Sequence, residues 1–256
     1  MRIAIITGAS SGFGREFARM ADRLYRNLDE IWLVARREHR LLALSEELHT
    51  KCRIFSGDLM ERRFTGELFQ ALEEEKPEIR LLVNAAGYGK IGKSEEIERE
   101  SQLGMIDLNC RALTEMTLGS LPYMGKGGRI IQIASAAAFC PQPGFSVYAA
   151  SKSYVLSFTR ALGEELRKRQ ISVTAVCPGP ADTEFFDTAG ENHSVLKNAV
   201  MAPPKAVVKK AVKDAVRRKP VSIYGIPMKA AYAACSVLPE GLLLKAMKRI
   251  WQGEES

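Results

Sequence analysis

The stretch Thr7-Gly8-Ala9-Ser10-Ser11-Gly12-Phe13-Gly14 follows an apolar run, Ile3-Ala4-Ile5-Ile6, and leads into a helical pattern over residues 13–25. Strand, glycine-rich turn and helix in that order open a βαβ unit. Gly8, Gly12 and Gly14 permit a tight turn and bring backbone close to a ligand. The helix directs its free N–H groups and positive dipole at that turn, a setting for a dinucleotide's pyrophosphate in which Ser10, Ser11 and Phe13 share. The plainer reading is a βα turn with incidental glycines. No Gly-Lys-Ser/Thr completes an ATP-type loop, so nucleotide hydrolysis is not supported.

Outward from this loop, β-rich runs alternate with helical patterns to the end of the 256 residues. Strands are expected at 2–7, 30–35, 52–56, 80–84, 129–134, 172–177 and 220–224. Helices are expected at 13–25, 38–48, 64–75, 101–123, 147–168 and 204–218. Runs such as Leu81-Leu82-Val83 are apolar throughout and suit strands buried on both faces. The pattern predicts an α/β fold: one Rossmann-type, doubly wound parallel sheet of about seven strands with helices on both faces. No repeat or linker divides the chain, so a single domain over 1–256 is expected.

Ligands of such folds bind beyond the carboxyl ends of the strands. Gly8 to Gly14 fall there after the first strand, Arg36 and Arg37 after the second, and Asp58 with Leu59 after the third. Asn84-Ala85-Ala86-Gly87 follow the fourth, Ser135 the fifth, and Pro178 to Thr183 the sixth. The tip of the second strand discriminates between nicotinamide cofactors. An acid there accepts from a ribose 2′-hydroxyl, whereas a guanidinium grips a 2′-phosphate. Arg36 and Arg37 stand there with no acid at the tip, which favours NADP(H) over NAD(H).

Tyr148 and Lys152 stand four residues apart on a predicted helix and therefore share a face. A free phenol, with a pKa of about 10, is a poor acid-base catalyst near neutrality. A cation beside it stabilises the phenolate and lowers that value. The expectation is that the Lys152 ammonium lies beside the Tyr148 phenol and does this.

Apolar residues make up 46% and charged residues 26% of the chain, as in an ordinary globular protein. No run approaches the roughly 20 apolar residues of a membrane span, so no integral membrane segment is expected and a cytoplasmic location follows by default. Five cysteines without paired spacing suggest reduced thiols, and three scattered histidines argue against a metal site. Much of the +7 net charge lies between Lys205 and Lys219, without interleaved aromatics. The apolar residues of that run recur at helical spacing, so it reads as the solvated face of an amphipathic helix and not as a nucleic-acid site.

With these residues in view, the chain resembles a classical short-chain dehydrogenase/reductase along nearly its whole length. The glycine loop matches the family's Thr-Gly-x-x-x-Gly-x-Gly, and Asn84-Ala85-Ala86-Gly87 is similar to its Asn-Asn-Ala-Gly segment, with Ala85 in the second place. Asn109, Ser135, Tyr148 and Lys152 fall where the family keeps its catalytic four, and Pro178-Gly179 with Thr183 resembles its Pro-Gly-x-x-x-Thr stretch. The resemblance implies hydride transfer between a nicotinamide cofactor and a carbonyl or secondary alcohol. It makes Tyr148 the acid-base, Ser135 a donor to the reacting oxygen, and Asn109 the holder of a water behind Lys152. Lys152 would tune Tyr148 and hold the nicotinamide ribose. Asp58 and Leu59 are expected near the adenine, Asn84, Ala85 and Gly87 near the cofactor's centre, and Ala181 and Thr183 near the carboxamide. Such proteins are often homodimers or homotetramers.

The loop after Ser135 is short of charge, and Phe139, Phe145, Tyr88, Phe185 and Phe186 are candidates to wall a pocket for a hydrophobic substrate such as a steroid or acyl ketone. Residues 182–256 are expected to cover it, with a lid over 182–202. The apolar, basic tail after Tyr224 reads first as a covering helix, then as a subunit contact, then as a membrane-facing helix. An isomerase on the same scaffold and a non-catalytic dinucleotide-binding protein are the competing functions.

Overall fold

The computed structural model describes residues 1–185, 189 and 201–252. Seven strands form one parallel sheet in the order β3-β2-β1-β4-β5-β6-β7: β1 (Arg2–Thr7), β2 (Glu30–Ala35), β3 (Cys52–Ser56), β4 (Glu78–Asn84), β5 (Arg129–Ile133), β6 (Ser172–Val176) and β7 (Val221–Ser222). Strand β1 shows why the sheet sits in the middle. Its side chains alternate between faces, and both sets are buried: Ala4 and Ile6 pack on one side, Ile3 and Ile5 on the other.

Helices α1 (Gly12–Leu24) and α2 (Glu38–Glu47) cover the first face. Helix α7 (Pro204–Val216) joins them there and inserts Val207, Val208, Ala211 and Val212. The second face is covered by α3 (Arg62–Glu75), α5 (Leu113–Ser120) and α6 (Ser146–Glu165) through Leu68, Leu72, Met116 and Leu162. Burying apolar side chains on both faces is the main stabilising term, at roughly 25 cal/mol per Å² removed from water.

Three details depart from the expected elements. The predicted helix over 101–123 begins earlier, as α4 (Arg99–Ile106), and passes through a π-helical stretch, Asp107–Ala112, before α5. Strand β7 shortens from the expected 220–224 to Val221–Ser222; at its start Pro220 has no N–H for the ladder and lends only its carbonyl, to Ala175. The tail forms α8 (Ile226–Val237) and α9 (Glu240–Gln252). The basic run lies on α7 as an amphipathic face, although Val216 points outward. Lys210 and Lys219 meet the buried Asp214, which also accepts from Ser222 at 2.8 Å.

Candidate active site

A cleft of about 870 Å³ opens along the carboxyl ends of the strands. At one end the turn after β1 delivers Gly8, Ser10, Ser11, Gly12 and Phe13 to its wall. Gly8 has φ of +68°, and a Cβ there would stand 2.7 Å from the Ala86 amide nitrogen, so only glycine fits. Behind it, the Thr7 hydroxyl accepts from the Ala85 and Ala86 amides at 3.1 and 3.2 Å and ties the glycine loop to the end of β4. Ser11 occupies the N-cap position of α1 but makes no side-chain cap there. Its hydroxyl accepts from Arg37 at 2.9 Å, leaving the first amides of α1 for another acceptor. A pyrophosphate fits this cradle. Gly14 packs against Gly8 behind the loop and does not reach the cleft wall.

Beside that cradle lies a cluster of cations. Arg37 donates to the Ser10 hydroxyl at 3.2 Å and to Glu184 at 2.8 Å, and Arg40, one turn along α2, meets the same carboxylate. Burial would raise the Glu184 pKa, but its hydrogen bonds to Arg37 and Arg40 outweigh that and hold it below the usual range. Arg36 is largely exposed and faces Asp58 at 3.7 Å. Asp58 accepts the Met60 amide at 2.9 Å, and Asp58, Leu59 and Arg36 line the cleft beside Val34 and Ala35. Neither Arg40 nor Glu184 was expected. Arg40 was within reach of sequence reasoning, three residues beyond Arg37 on a helix, whereas nothing local marks Glu184 as its partner.

Asn84 departs from expectation. Its side chain turns away from the cleft and donates to Thr117 Oγ1 at 3.0 Å and Gln132 Oε1 at 3.1 Å, with its own oxygen unpartnered among the described residues. Ala85 and Gly87, on the same loop, do line the cleft.

The other end holds Ser135, Tyr148 and Lys152, all on the wall. Ser135 lies two residues past β5 and caps the short turn Ala136–Phe139, its Oγ accepting from the Ala137 amide at 3.1 Å. Tyr148 is buried between two rings, stacked on Phe145 at 4.2 Å and tilted against Phe185 at 5.3 Å. Burial pushes its phenol up to about 12, against a hydrogen bond from Ser135 that pulls it down. Lys152 does not lie on the phenol as expected. Its Nζ donates to the Ile133 carbonyl at 2.9 Å and stands 5.6 Å from the Tyr148 ring centre. Burial brings its own pKa down to about 8, partly opposed by Cys110 and Cys177.

Asn109 lies behind this pair, in the π-helical stretch, and is fully buried. Its Oδ1 accepts the Tyr88 amide at 3.1 Å, and its Nδ2 donates to the Tyr88 carbonyl at 2.9 Å and to Ser151 Oγ at 3.0 Å. Local π geometry re-aims a side chain without breaking the helix. Gly87 is the hinge of the arrangement, since a Cβ there would meet Asn109 Oδ1 at 2.7 Å and Lys152 Nζ at 3.2 Å.

Pro178, Gly179, Ala181 and Thr183 form the wall after β6. Met228, Ala231 and Cys235 of α8 and Met247 of α9 close the substrate end, together with Tyr88, Phe139, Phe145 and Phe185. Phe186 and most of the expected lid lie outside the described residues.

The short chain dehydrogenase family model matches residues 2–194. A sulfoacetaldehyde reductase of Chromohalobacter salexigens is 36% identical over 192 residues, covering 72% of this chain and 74% of that protein. An NADP-dependent 3-hydroxy acid dehydrogenase of Shigella flexneri is 31% identical over 214 residues, covering 80% of this chain and 85% of its own. A short-chain dehydrogenase from Sphingobium yanoikuyae, solved with NADPH, superposes with a TM-score of 0.80 at 30% identity over 95% of both chains. This chain belongs to the short-chain dehydrogenase family. It is an NAD(P)-dependent oxidoreductase. A 3-ketoacyl-(acyl-carrier-protein) reductase from Brucella melitensis that shares the fold, with a TM-score of 0.74 at 23% identity over 87% of this chain and 95% of that one, is solved with NADH, so the fold by itself does not choose between the two cofactors.

Proposed function

We propose that this chain interconverts a carbonyl and a secondary alcohol on a hydrophobic substrate, using NADP(H). The observation that carries this reading is that Ser135, Tyr148 and Lys152 line one cleft with the glycine loop. The nicotinamide, when bound, gives or takes the hydride. Tyr148 moves a proton at the substrate oxygen, and Ser135 donates to that oxygen as charge develops on it. Lys152 would hold the ribose hydroxyls and tune the phenol, and Asn109 holds the wall behind it. Residues 1–256 act as one dinucleotide-binding and catalytic unit, with 182–256 covering the substrate.

Preference for the 2′-phosphate is supported by Arg37, which already holds Ser10 and Ser11, and by Arg40 beside it. Hydrophobic substrates, steroids or acyl ketones among them, are supported by the rings and methionines at the far end. A homo-oligomer is supported by Leu103, Ile106 and Leu118 on the α4–α5 helix and Tyr154 on α6, all exposed. Five free thiols suit a reducing, cytoplasmic setting. One observation favours a non-catalytic dinucleotide-binding protein, namely the Lys152 amine turned to Ile133.

Following NADPH absorbance against a panel of ketones separates the two. Turnover that falls about 10²–10⁴-fold in Tyr148→Phe supports catalysis. Tight NADPH binding without turnover on any ketone supports the binding protein. Equal affinity for NADH and NADPH, unchanged in Arg37→Ala, rejects the cofactor assignment.

A further inference from the structure

Cys140 and Cys235 both line the substrate end of the cleft, and the Cys235 thiol lies near enough to Cys140 to push its pKa up. They come from separate elements. Cys140 follows the turn Ala136–Phe139, and Cys235 lies on α8. The adjoining rings of Phe139 and Tyr232 pack edge to face at 4.9 Å, and Tyr232 precedes Cys235 by three residues on the same face of α8. Cα atoms of α8 and the turn lie within 8 Å of one another. The ring pair therefore packs α8 against the turn that leads into Cys140. Among the described residues, no second thiol acts on Cys52, Cys110 or Cys177.

We propose that Cys140 and Cys235 are a redox modification site, closed to a reversible disulfide by exchange with a small disulfide such as oxidised glutathione, which staples α8 across the substrate end. Cys235 is half-buried and Cys140 only 8% exposed, so Cys235 meets the oxidant first. Burial and the neighbouring Cys235 push Cys140 up to about 12, which keeps it a thiol until exchange begins. Cys235 gives its proton to solvent, attacks one sulfur of oxidised glutathione and expels one glutathione thiolate, which takes up a proton. Cys140 then loses its proton, attacks the Cys235 sulfur and expels the second. Two protein thiols are oxidised and one glutathione disulfide is reduced to two glutathiones.

The bridge joins α8 to the turn that follows Ser135. Met228 and Ala231, on the same helix, are held where they narrow the cleft, while the glycine loop at the other end is untouched. Oxidised protein should therefore bind NADPH as before and admit bulky substrates poorly. This last consequence rests on the proposed function, but the chemistry of the site does not.

The test incubates the full chain with oxidised glutathione and maps thiols by mass spectrometry. The expected result is a peptide linking Cys140 to Cys235, with Cys52, Cys110 and Cys177 still alkylatable, and full reversal by dithiothreitol. A rise in Tm on oxidation, absent in Cys235→Ser, accompanies it. NADPH affinity stays within about twofold and turnover of large ketones falls about tenfold or more. Glutathione left on Cys235 without a bridge, or both thiols still reduced at excess oxidant, overturns the proposal. A linked peptide in a protein that turns over no ketone leaves the thiol site standing and counts against the reductase reading alone.

Discussion

Lys152 Nζ stands 5.6 Å from the centre of the Tyr148 ring and donates to the carbonyl of Ile133, not to the phenol. Helical spacing placed the two residues on one face, as Tyr148 and Lys152 both on the cleft wall show, but it did not determine where a four-carbon stem ends. With the amine on Ile133, burial dominates both groups: the phenol goes up and the ammonium comes down.

The phenol therefore stays protonated well above neutrality in the protein alone. Wild type and Tyr148→Phe should give superimposable phenolate absorbance, apart from a constant offset, between about pH 7 and 11. An extra phenolate appearing in wild type near pH 7–8 would contradict this. Because the Ser135 hydrogen bond is what pulls the phenol down, Ser135→Ala should move its titration higher still.

Lys152 supplies a stability test. Its pKa falls from the ordinary 10.5 to about 8 because the fold buries the charge. Between those values the unfolded chain holds a proton that the folded chain does not, so stability from this group rises with pH, by at most about 1.4 kcal/mol per unit. Lys152→Met removes the buried charge. It should be more stable than wild type at pH 7, and the gap should narrow by pH 10. Urea melts of both proteins at the two pH values measure it, and a gap that widens is the contrary outcome.

Glu184 bridges Arg37 and Arg40, the two guanidinium groups proposed above to favour a 2′-phosphate. Glu184→Gln keeps the size and removes the charge. NADPH should bind about 5–50-fold tighter, the scale of one charge-assisted hydrogen bond, while NADH changes little. Arg40→Ala should weaken NADPH about tenfold with the same selectivity. Fluorescence titration of both cofactors checks both variants. Parallel changes for NADH and NADPH would remove Arg40 and Glu184 from cofactor discrimination.

Most of the sheet was legible because its strands are apolar on both faces and end in short polar loops. Strands β1, β2 and β3 begin and end where the residue pattern predicts. The loops after the strands converge as expected, and Ser135 comes together with the helical pair Tyr148 and Lys152 from a separate segment. What was not legible depends on orientation or on distant partners. Asn84 occupies a motif position but bonds inward to Thr117 and Gln132, a choice made by neighbours 33 and 48 residues away. The π-helical stretch that aims Asn109 has no local composition cue, and the Glu184 bridge spans 147 residues to Arg37. Phe145 and Phe185 were expected to wall the pocket, and they also clamp Tyr148 itself.

Gly87 gives the sharpest single-site test of the catalytic wall. A methyl group there meets Asn109 Oδ1 at 2.7 Å, inside contact distance, and Asn109 cannot retreat because Tyr88 and Ser151 hold it on both sides. Lys152 Nζ, at 3.2 Å, is crowded by the same atom. Gly87→Ala must therefore break at least one buried hydrogen bond of Asn109, at about 1–3 kcal/mol. It should also shift the Lys152 amine from its place on the Ile133 carbonyl. The expected outcome is a Tm several degrees lower, together with a loss of kcat larger than any change in KM. Asn109→Ala in the same background separates the two effects. If the clash is the cause, the double variant loses no more stability than Asn109→Ala alone. Additive losses would place the damage elsewhere, in the backbone of the loop.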